Sequence, residues 1–272
     1  MPELPEVETT RRQIAPIIVG RTIKSVKIHK GAERLAVTHA PHELEFTLTG
    51  RRIDALDRHG KYLIAHLDDG RAWVVHLRMT GSLVVAAVDK PHRFERAQLS
   101  MDDGVVVRFN DLRKFGTWHV VEDPRDAMPN VGPDALSDDF TVSWLREHLA
   151  RRSVPLKSVL LDQKVAAGVG NIYADEACYI ARINPRIKAH ELGPRRVARL
   201  RDAIVTALQR SLVDGGTTFS NYMDGLGGAG FHKTHVHVFR RDGEPCDHCG
   251  SIIRKIRIAG RGTHFCPRCQ KH

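Results

Sequence analysis

The spacing of hydrophobic positions divides the chain into a short helix, a β-rich part and a helical part. Residues 5–18 carry a partial apolar stripe at helical spacing, which predicts a helix. From about residue 21 to 122 the period falls to two, and Leu44, Phe46 and Leu48 alternate with polar residues in the manner of a strand. This change of period predicts a helix followed by a β domain.

Turn signals support a β domain built from hairpins. An Asp-Gly pair at 69–70 and another at 103–104 each separate two apolar runs. Asp-Gly between alternating hydrophobic residues is typical of a tight hairpin turn. Several short strands with turns at this spacing predict a β-sandwich or a barrel.

The second half of the chain has a helical pattern. A Pro- and Asp-rich stretch, 123–139, predicts a linker ahead of it. Six glycines between residues 215 and 230 predict a loop. The candidate helices are 141–150, 155–162, 171–182 and 194–213.

Charge then restricts the class of partner. The formal net charge is +10, and nine Lys and Arg against three Asp and Glu fall within the last 41 residues. Such a balance predicts binding to a polyanion, with nucleic acid favoured over an acidic membrane surface. No apolar run approaches the length of a membrane span, and no secretory leader is visible, so we expect a cytoplasmic protein.

Four of the five cysteines have the spacing of a zinc ribbon. Cys246 and Cys249 form one CxxC pair, Cys266 and Cys269 form another, and 16 residues separate the pairs. Four thiolates complete a tetrahedral shell and leave no position for a catalytic water. The spacing predicts one structural Zn²⁺ per chain. A redox CxxC is the alternative, but no thioredoxin-like βαβ unit surrounds either pair.

Two segments are candidates for phosphate binding. The stretch between the cysteine pairs is a predicted hairpin with four basic residues, Arg261 among them. Glycines at 168 and 170 precede Asn171, which can cap a helix whose N-terminus offers free N–H groups to a phosphate. Lys157 in the preceding helix could add a second contact.

The N-terminus offers a candidate nucleophile. Initiator methionine is normally removed ahead of a small residue, so the mature chain is expected to begin at Pro2. Its α-amine would be a secondary amine, titrate at about 7.7–8.0, and form a Schiff base that cannot lose its charge from nitrogen. Glu3 places a carboxyl group beside it. Taken alone, a proline at position 2 is more often without a function.

Short motifs occur in order along the whole chain. They are residues 1–8 (MPELPEVE), 76–81 (HLRMTG), 113–116 (RKFG), 163–176, 215–218 (GGTT), and the zinc ribbon ending in 260–263 (GRGT). Together they resemble the formamidopyrimidine-DNA glycosylase family. The resemblance implies an α+β multidomain fold with DNA bound in a cleft between domains. The expected parts are an N-terminal helix plus β-sandwich (1–122), a linker (123–139), a helix-two-turn-helix domain (140–237) with the Gly-rich loop 215–230, and a four-cysteine finger (238–272).

The resemblance also assigns roles. Pro2 matches the Schiff-base nucleophile and Glu3 the acid that helps to open the sugar. Lys61 matches a lysine for base removal and β-elimination, and Arg261 an arginine for phosphate binding and δ-elimination. The matching DNA contacts are His76, Met79, His92, Arg113, Phe115, Arg152, Lys157 and Asn171.

Three of these contacts would fill the space left by an extruded nucleotide: Met79, Arg113 and Phe115. The chain departs from the family pattern at Arg78, where glycine is common, at Leu112, where proline is usual, and at Phe239, often a tyrosine. Extra residues around His92 also disturb the family run there. None of these departures touches the candidate nucleophile.

The resemblance therefore implies a bifunctional glycosylase and abasic-site lyase that excises oxidised purines (8-oxoguanine and formamidopyrimidines) in base excision repair. It would act as a monomer on damaged duplex DNA. An oxidised-pyrimidine glycosylase is the alternative within the class. A non-catalytic zinc-ribbon DNA-binding protein is the alternative outside it.

Overall fold

The computed structural model describes residues 2–86, 92–216, 225–227 and 235–271. The chain divides into two compact units. The first contains residues 1–129 and 214–231, and the second contains 130–213 and 232–272. Within the described ranges no helix has the length and apolarity that spanning a membrane requires.

The first unit begins with helix α1 (Leu4–Ile18), which confirms the predicted helix. Pro5 lies in its first turn, where the missing N–H removes no helical hydrogen bond. Val7, Ile14 and Ile18 are buried at helical spacing. They attach α1 to the core of the β domain.

A second helix replaces a predicted strand. Residues Pro41–Leu48 form α2, so the strand expected from the alternation at 44, 46 and 48 was wrong. Leu44 and Leu48 are buried, whereas Phe46 is 84% exposed. Residues four apart also share a helix face, so the pattern suits both structures. Two features favour the helix. Pro41 lies in its first turn, and the Glu43 carboxylate accepts the Ala40 N–H at 2.9 Å, as in a helix cap.

The β domain is a sandwich of two four-stranded antiparallel sheets. The strands are β1 (Ile23–Ile28), β2 (Ile53–His59), β3 (Tyr62–Leu67), β4 (Ala72–His76), β5 (Gly81–Ala86), β6 (Glu95–Met101), β7 (Val106–Asp111) and β8 (Thr117–Val121). One sheet has the order β1-β6-β7-β5 and the other β2-β3-β4-β8. Both predicted hairpins are confirmed, as β3–β4 and β6–β7.

One hydrophobic core joins both sheets with α1 and α2. Trp73 of β4 and Trp118 of β8 meet edge to face at 4.9 Å within it. Phe109 of β7, from the other sheet, packs against Trp118 at 5.6 Å. The inward positions of each strand are therefore fixed.

The second unit is helical and ends in a β-hairpin. The four predicted helices are confirmed as α3 (Val142–Ala150), α4 (Leu156–Leu160), α5 (Asn171–Ile180) and α6 (Pro194–Val213). The hairpin is β9 (Arg254–Ile258) with β10 (Arg261–Phe265). Short 3-10 helices lie at Glu33–Leu35, Pro124–Ala127 and Ala189–Glu191, the second within the predicted linker. Of the predicted loop 215–230, residues 217–224 and 228–230 lie outside the described residues.

Candidate active site and nucleic-acid interface

The candidate nucleophile and acid lie at the start of α1. Pro2 is buried, and Glu3 is 1% exposed as the residue that caps the helix. The Glu3 N–H donates to the Glu6 carboxylate at 2.8 Å, which fixes the direction in which the chain enters the helix. The first turn of α1 therefore holds both candidates in place.

Lys61 lies in the turn between β2 and β3, next to Gly60 with φ +57°. Only 6% of this lysine is exposed, which is unusual for an ordinary strand lysine. Arg58 connects its turn to α1, because it donates to the Gly60 carbonyl at 3.0 Å and to the Glu8 carboxylate at 3.0 Å. The turn that carries Lys61 is thereby tied to the helix that begins beside Pro2.

Glu8 is the hub of this connection. Its carboxylate also accepts from Arg11 at 2.8 Å and from Arg12 at 2.7 Å. Burial alone would raise the pKa of Glu8, but hydrogen bonds from Arg11 and Arg12 and the charge of Arg58 outweigh it and lower the pKa to about 2. Glu8 is therefore charged at any physiological pH.

His76 ends β4 and is 8% exposed. Burial, and then the charges of Arg78 and Lys61, lower its pKa to about 3, so the ring is neutral at pH 7. Its Nδ1 accepts the Arg78 N–H at 2.8 Å, which assigns the ring proton to Nε2. A neutral imidazole in this tautomer can donate one hydrogen bond to a phosphate or sugar oxygen.

The structure brings the three candidate space-filling residues together. The Arg113 Nη1 group donates to the Met79 sulfur at 3.0 Å, and the guanidinium lies 4.7 Å from the centre of the Phe115 ring. Met79 is 38% exposed and Phe115 47% exposed. These two are therefore surface residues and not core residues.

Backbone geometry explains one departure from the family pattern. Arg78 has φ +54°, in the left-handed region that favours glycine. The common glycine at this position therefore suits the backbone better than arginine does.

Two other positions at which the chain departs from the family pattern lie at the surface. Leu112, in place of the usual proline, is 41% exposed. His92 is exposed, borders the undescribed residues 87–91, and accepts the Phe94 N–H at 3.2 Å.

In the second unit, Arg261 follows a tight turn. Ala259 with φ +46° and Gly260 with φ +76° form the turn between β9 and β10, and Arg261 begins β10. Arg261 is exposed, as are the basic residues Arg254, Lys255 and Arg257 of the preceding strand. The predicted basic hairpin is thus present, with its arginine at the tip.

Lys157 is placed differently from the prediction. It is 0% exposed, its Nζ lies 2.7 Å from the Asp175 carboxylate, and it donates to the Gly262 carbonyl at 2.8 Å. A fully buried, ion-paired ammonium group has no surface to offer a phosphate. The burial argues against direct phosphate contact and favours a role in holding the residue after Arg261.

Asn171 also differs in detail. Gly170 is the capping position and Asn171 is the first helical residue, so the predicted side-chain cap is wrong. Gly168 with φ +97° lets the loop turn into α5. The N–H groups of this first turn are those that an anion can bind. Arg152 lies two residues after α3 and is exposed, and its guanidinium is 3.3 Å from the Asp162 carboxylate.

The four predicted cysteines form a metal-binding cluster. Their sulfur atoms all lie within 4.8 Å of one another. The Cys246 and Cys269 sulfurs are 3.9 Å apart and those of Cys249 and Cys266 are 3.5 Å apart. Sulfurs at about 2.3 Å from a tetrahedral zinc are about 3.8 Å apart, so the cluster fits Zn²⁺.

Sequence reasoning missed two acidic residues of α5 that hold the finger. The Asp175 carboxylate accepts the His264 N–H at 2.8 Å. The Glu176 carboxylate accepts the N–H groups of residues 237, 238 and 239 at 2.8–2.9 Å. Both residues are buried. Their adjacent carboxylates in an apolar helix were the available signal, since buried carboxylates require partners.

Three family models match successive parts of the chain. They are the formamidopyrimidine-DNA glycosylase N-terminal domain over residues 1–118, the H2TH domain of the same enzymes over 131–222, and the zinc finger found in FPG and IleRS over 243–271. The chain belongs to the formamidopyrimidine-DNA glycosylase family. It is accordingly a DNA glycosylase of DNA repair, with a zinc finger that binds one structural zinc ion.

Relatives and solved structures of this family match nearly the full length of the chain. The formamidopyrimidine-DNA glycosylases of Herpetosiphon aurantiacus and Bacillus subtilis are 42% and 38% identical over 99% of this chain, and over 100% and 99% of their own lengths. The Lactococcus lactis protein, solved in complex with abasic-site DNA, has a TM-score of 0.90 at 35% identity and covers 99% of this chain and 100% of its own. The Thermus thermophilus protein has a TM-score of 0.89 at 38% identity, over 99% and 98%.

Proposed function

We propose that this glycosylase is bifunctional: it removes oxidised purines, 8-oxoguanine and formamidopyrimidines, from duplex DNA and then cleaves the strand as an abasic-site lyase. The observation that carries the proposal is the buried Pro2-Glu3 pair at the start of α1, with the Lys61 turn tied to the same helix through Arg58 and Glu8. The Lactococcus lactis relative is described in complexes with abasic-site DNA and with Fapy-dG DNA, which supports this substrate class.

The first step requires an extruded nucleotide, since C1′ is inaccessible inside the stack. With Met1 removed, the Pro2 secondary amine attacks C1′ as the bond from C1′ to the base breaks, and the proton that the new ammonium nitrogen loses goes to the departing base. Glu3 would then protonate the ring oxygen, so that the bond from C1′ to O4′ breaks and the sugar opens. The nitrogen lone pair replaces that bond, and the resulting iminium ion keeps its positive charge because its nitrogen has no proton to lose. Lys61 is the candidate base for the protons that are then removed.

Strand cleavage follows from the same intermediate. The iminium acidifies the C2′ proton, and loss of that proton expels the 3′ phosphate by β-elimination. A second elimination expels the 5′ phosphate, and Arg261 is proposed to bind the phosphate that leaves. His76, neutral with its proton on Nε2, would donate to the DNA backbone.

The remaining candidate contacts hold the duplex. Met79, Arg113 and Phe115 would occupy the space of the extruded nucleotide. Arg152 and the first turn of α5 at Asn171 would bind backbone phosphates. We propose no fixed role for His92. The enzyme would work in the bacterial cytoplasm and as a monomer. Sedimentation at assay concentration can check the monomeric state.

Borohydride trapping tests the proposal. The mature chain, with removal of Met1 verified by intact mass, should be trapped covalently on duplex DNA that contains 8-oxoguanine. A chain with one glycine added ahead of Pro2 has no secondary amine, and it should bind an abasic-site analogue yet give neither trapping nor cleavage. Cleavage by the extended chain would contradict the proline mechanism. Failure of the mature chain to trap, with DNA binding intact, would favour a non-catalytic binder, and preference for an oxidised pyrimidine would favour the alternative substrate class.

A further inference from the structure

Asp111, the last residue of β7, has an unusual set of partners. Its carboxylate is 1% exposed. One oxygen accepts the Thr80 hydroxyl and the Arg113 N–H, the latter at 3.1 Å. The other accepts the N–H groups of Phe115 and Gly116, each at 2.8 Å. Four donors from two loops therefore converge on a single side chain.

The two loops are those that carry the candidate space-filling residues. Thr80 follows Met79 in the connection from β4 to β5, and its hydroxyl also accepts the Arg113 N–H at 3.0 Å. Arg113 and Phe115 lie in the connection from β7 to β8. The carboxylate thus joins the Met79 loop to the Arg113 loop.

Core packing alone does not hold the Arg113 loop. A pocket of about 280 Å³ lies beside it, and its lining includes residues 113–116 of this loop and residues 31–35. The Phe115 ring is 47% exposed. Lys114 has φ +57°, a conformation that a lysine rarely adopts without external support. Hydrogen bonds to Asp111 supply that support on both sides of Lys114.

The partners of the Asp111 carboxylate are hydrogen-bond donors, three backbone N–H groups and one hydroxyl. Arg96 donates to the backbone carbonyl of Asp111 at 2.7 Å and so fixes the main chain rather than neutralising the side chain. Hydrogen bonds to an ionised acceptor are about twice as strong as neutral ones. An uncharged residue of the same shape should hold the loops less firmly.

We propose that Asp111 is the positioning residue for lesion extrusion: it locks the Met79 and Arg113 loops into one rigid unit before DNA binds. The inference rests on the proposed function, because it assumes that these loops enter the space of an extruded nucleotide. A preformed wedge avoids ordering two loops during binding, so its loss should reduce insertion more than it reduces DNA affinity.

The test uses Asp111→Asn, which keeps the shape but turns one acceptor into a donor that faces N–H groups. The readout is the fluorescence of 2-aminopurine placed opposite a stable abasic-site analogue, which rises when a side chain enters the stack and unstacks that base. The wild type should give a clear rise at saturation. The variant should bind with an affinity reduced by roughly tenfold or less, yet it should lose most of that fluorescence rise.

Three comparisons separate positioning from folding. Thr80→Val removes the donor from the Met79 loop alone and should give an intermediate rise. Asp102→Asn makes the same chemical change at an exposed site on the β6–β7 turn and should behave as wild type. In a double-mutant cycle, Asp111→Asn combined with Phe115→Ala should add little to Phe115→Ala alone, because both act through the same wedge.

The outcomes are distinguishable from those of the proposed function. Borohydride trapping at a bare abasic site should survive in Asp111→Asn, since Pro2 and Lys61 are unchanged. A wild type that fails to trap would contradict the proposed function. A wild type that traps, beside an Asp111→Asn variant with a full fluorescence rise, would overturn the positioning role, as would a wild type that gives no rise.

Discussion

Arg113 shows how much chemistry one exposed side chain can carry. Its guanidinium contacts Met79 and lies over Phe115, so its direction is set while its outer N–H groups remain at the surface. Arginine carries donors only. Cytosine offers acceptors at O2 and N3, whereas adenine offers N1 beside a donor amino group. Arg113 is therefore suited to a cytosine left without its partner.

We predict that the enzyme prefers lesions opposite cytosine to lesions opposite adenine by roughly tenfold or more, the value of a bidentate contact. Arg113→Ala should remove most of the preference, and Arg113→Lys, which keeps the charge without the fork, should restore little of it. Single-turnover cleavage of one lesion opposite each of the four bases measures this. If Arg113→Ala keeps the wild-type ranking, the arginine binds backbone instead.

Ala259, two residues before Arg261, has a strained backbone conformation. Its φ of +46° costs a non-glycine residue about 1 kcal/mol. Ala259→Gly should therefore leave the free energy of unfolding of the finger unchanged or raise it by up to about 1 kcal/mol, because strain relief competes with the added freedom of the unfolded chain. Chemical denaturation with zinc bound is the measurement. A loss above about 1 kcal/mol would show that the Ala259 methyl group packs usefully.

At the scale of elements, α5 and the finger form one assembly. The Asp175 carboxylate forms an ion pair with Lys157 and accepts the His264 N–H. The Glu176 carboxylate accepts the three consecutive N–H groups of residues 237–239. The four cysteines form the metal-binding cluster of the same finger, and Cys266 directly follows β10. The strand that begins with Arg261 is thus held by the Lys157 contact to Gly262 near its start and by the cluster after its end.

Salt dependence separates a phosphate contact from this supporting role. Arg261→Ala should lower the slope of log K against log salt by roughly 0.9, because one phosphate contact is lost. Lys157→Met should leave the slope unchanged but cost about 3–5 kcal/mol of stability, since Asp175 is left charged and buried. The pair Lys157→Met with Asp175→Leu should recover part of that loss. A slope that falls in Lys157→Met would restore the lysine as a phosphate ligand.

Zinc removal provides the matching test of the finger. Elemental analysis should find one zinc per chain, and Cys249→Ala should disorder the finger because structural sites contribute directly to folding. DNA affinity should fall, while near-ultraviolet signals from Trp73 and Trp118 in the other unit persist. A metal-free protein that binds DNA normally would contradict the structural role of zinc.

The sequence predicted those elements whose signals are local. The cysteine spacing, the Asp-Gly turns and the helical pattern of residues 194–213 each lie within a short window. The strand predicted around residues 44–48 was wrong, because the buried positions 44 and 48 suit a helix face as well as a strand face. The burial of Lys157 could not be predicted because its partner Asp175 lies 18 positions later, and nothing local indicates that the two meet. Asp111 was missed for the same reason.

For the whole molecule, we predict a loss of stability on acidification in two stages. The pKa of His76 is lowered in the folded state, so the folded protein binds fewer protons and stability falls as pH drops below 6.5 towards about 3, by up to about 1.4 kcal/mol per pH unit. The pKa of Glu8 is also lowered, so its contribution, roughly 1–2 kcal/mol after solvent screening, is lost as pH falls from 4.5 towards about 2.

Urea unfolding at a series of pH values measures both stages. His76→Gln should flatten the decline between pH 6.5 and 4.5, and Glu8→Gln should flatten it below pH 4.5. The comparison uses the slope against pH rather than the absolute stability, since each substitution also removes hydrogen bonds. An unchanged slope in His76→Gln would mean that the histidine titrates normally in the folded chain.

The adjacency of Asp175 and Glu176 limits which changes in chain length this protein can tolerate. Successive helical residues point about 100° apart, so each carboxylate serves a different segment of the finger. One residue inserted between Asn171 and Asp175 would rotate both carboxylates by that angle relative to the helix start and misdirect them together. Insertions should therefore be accepted in the loops around α5 but not in its first turn, and a library of single-residue insertions scored for zinc-dependent folding would display that boundary.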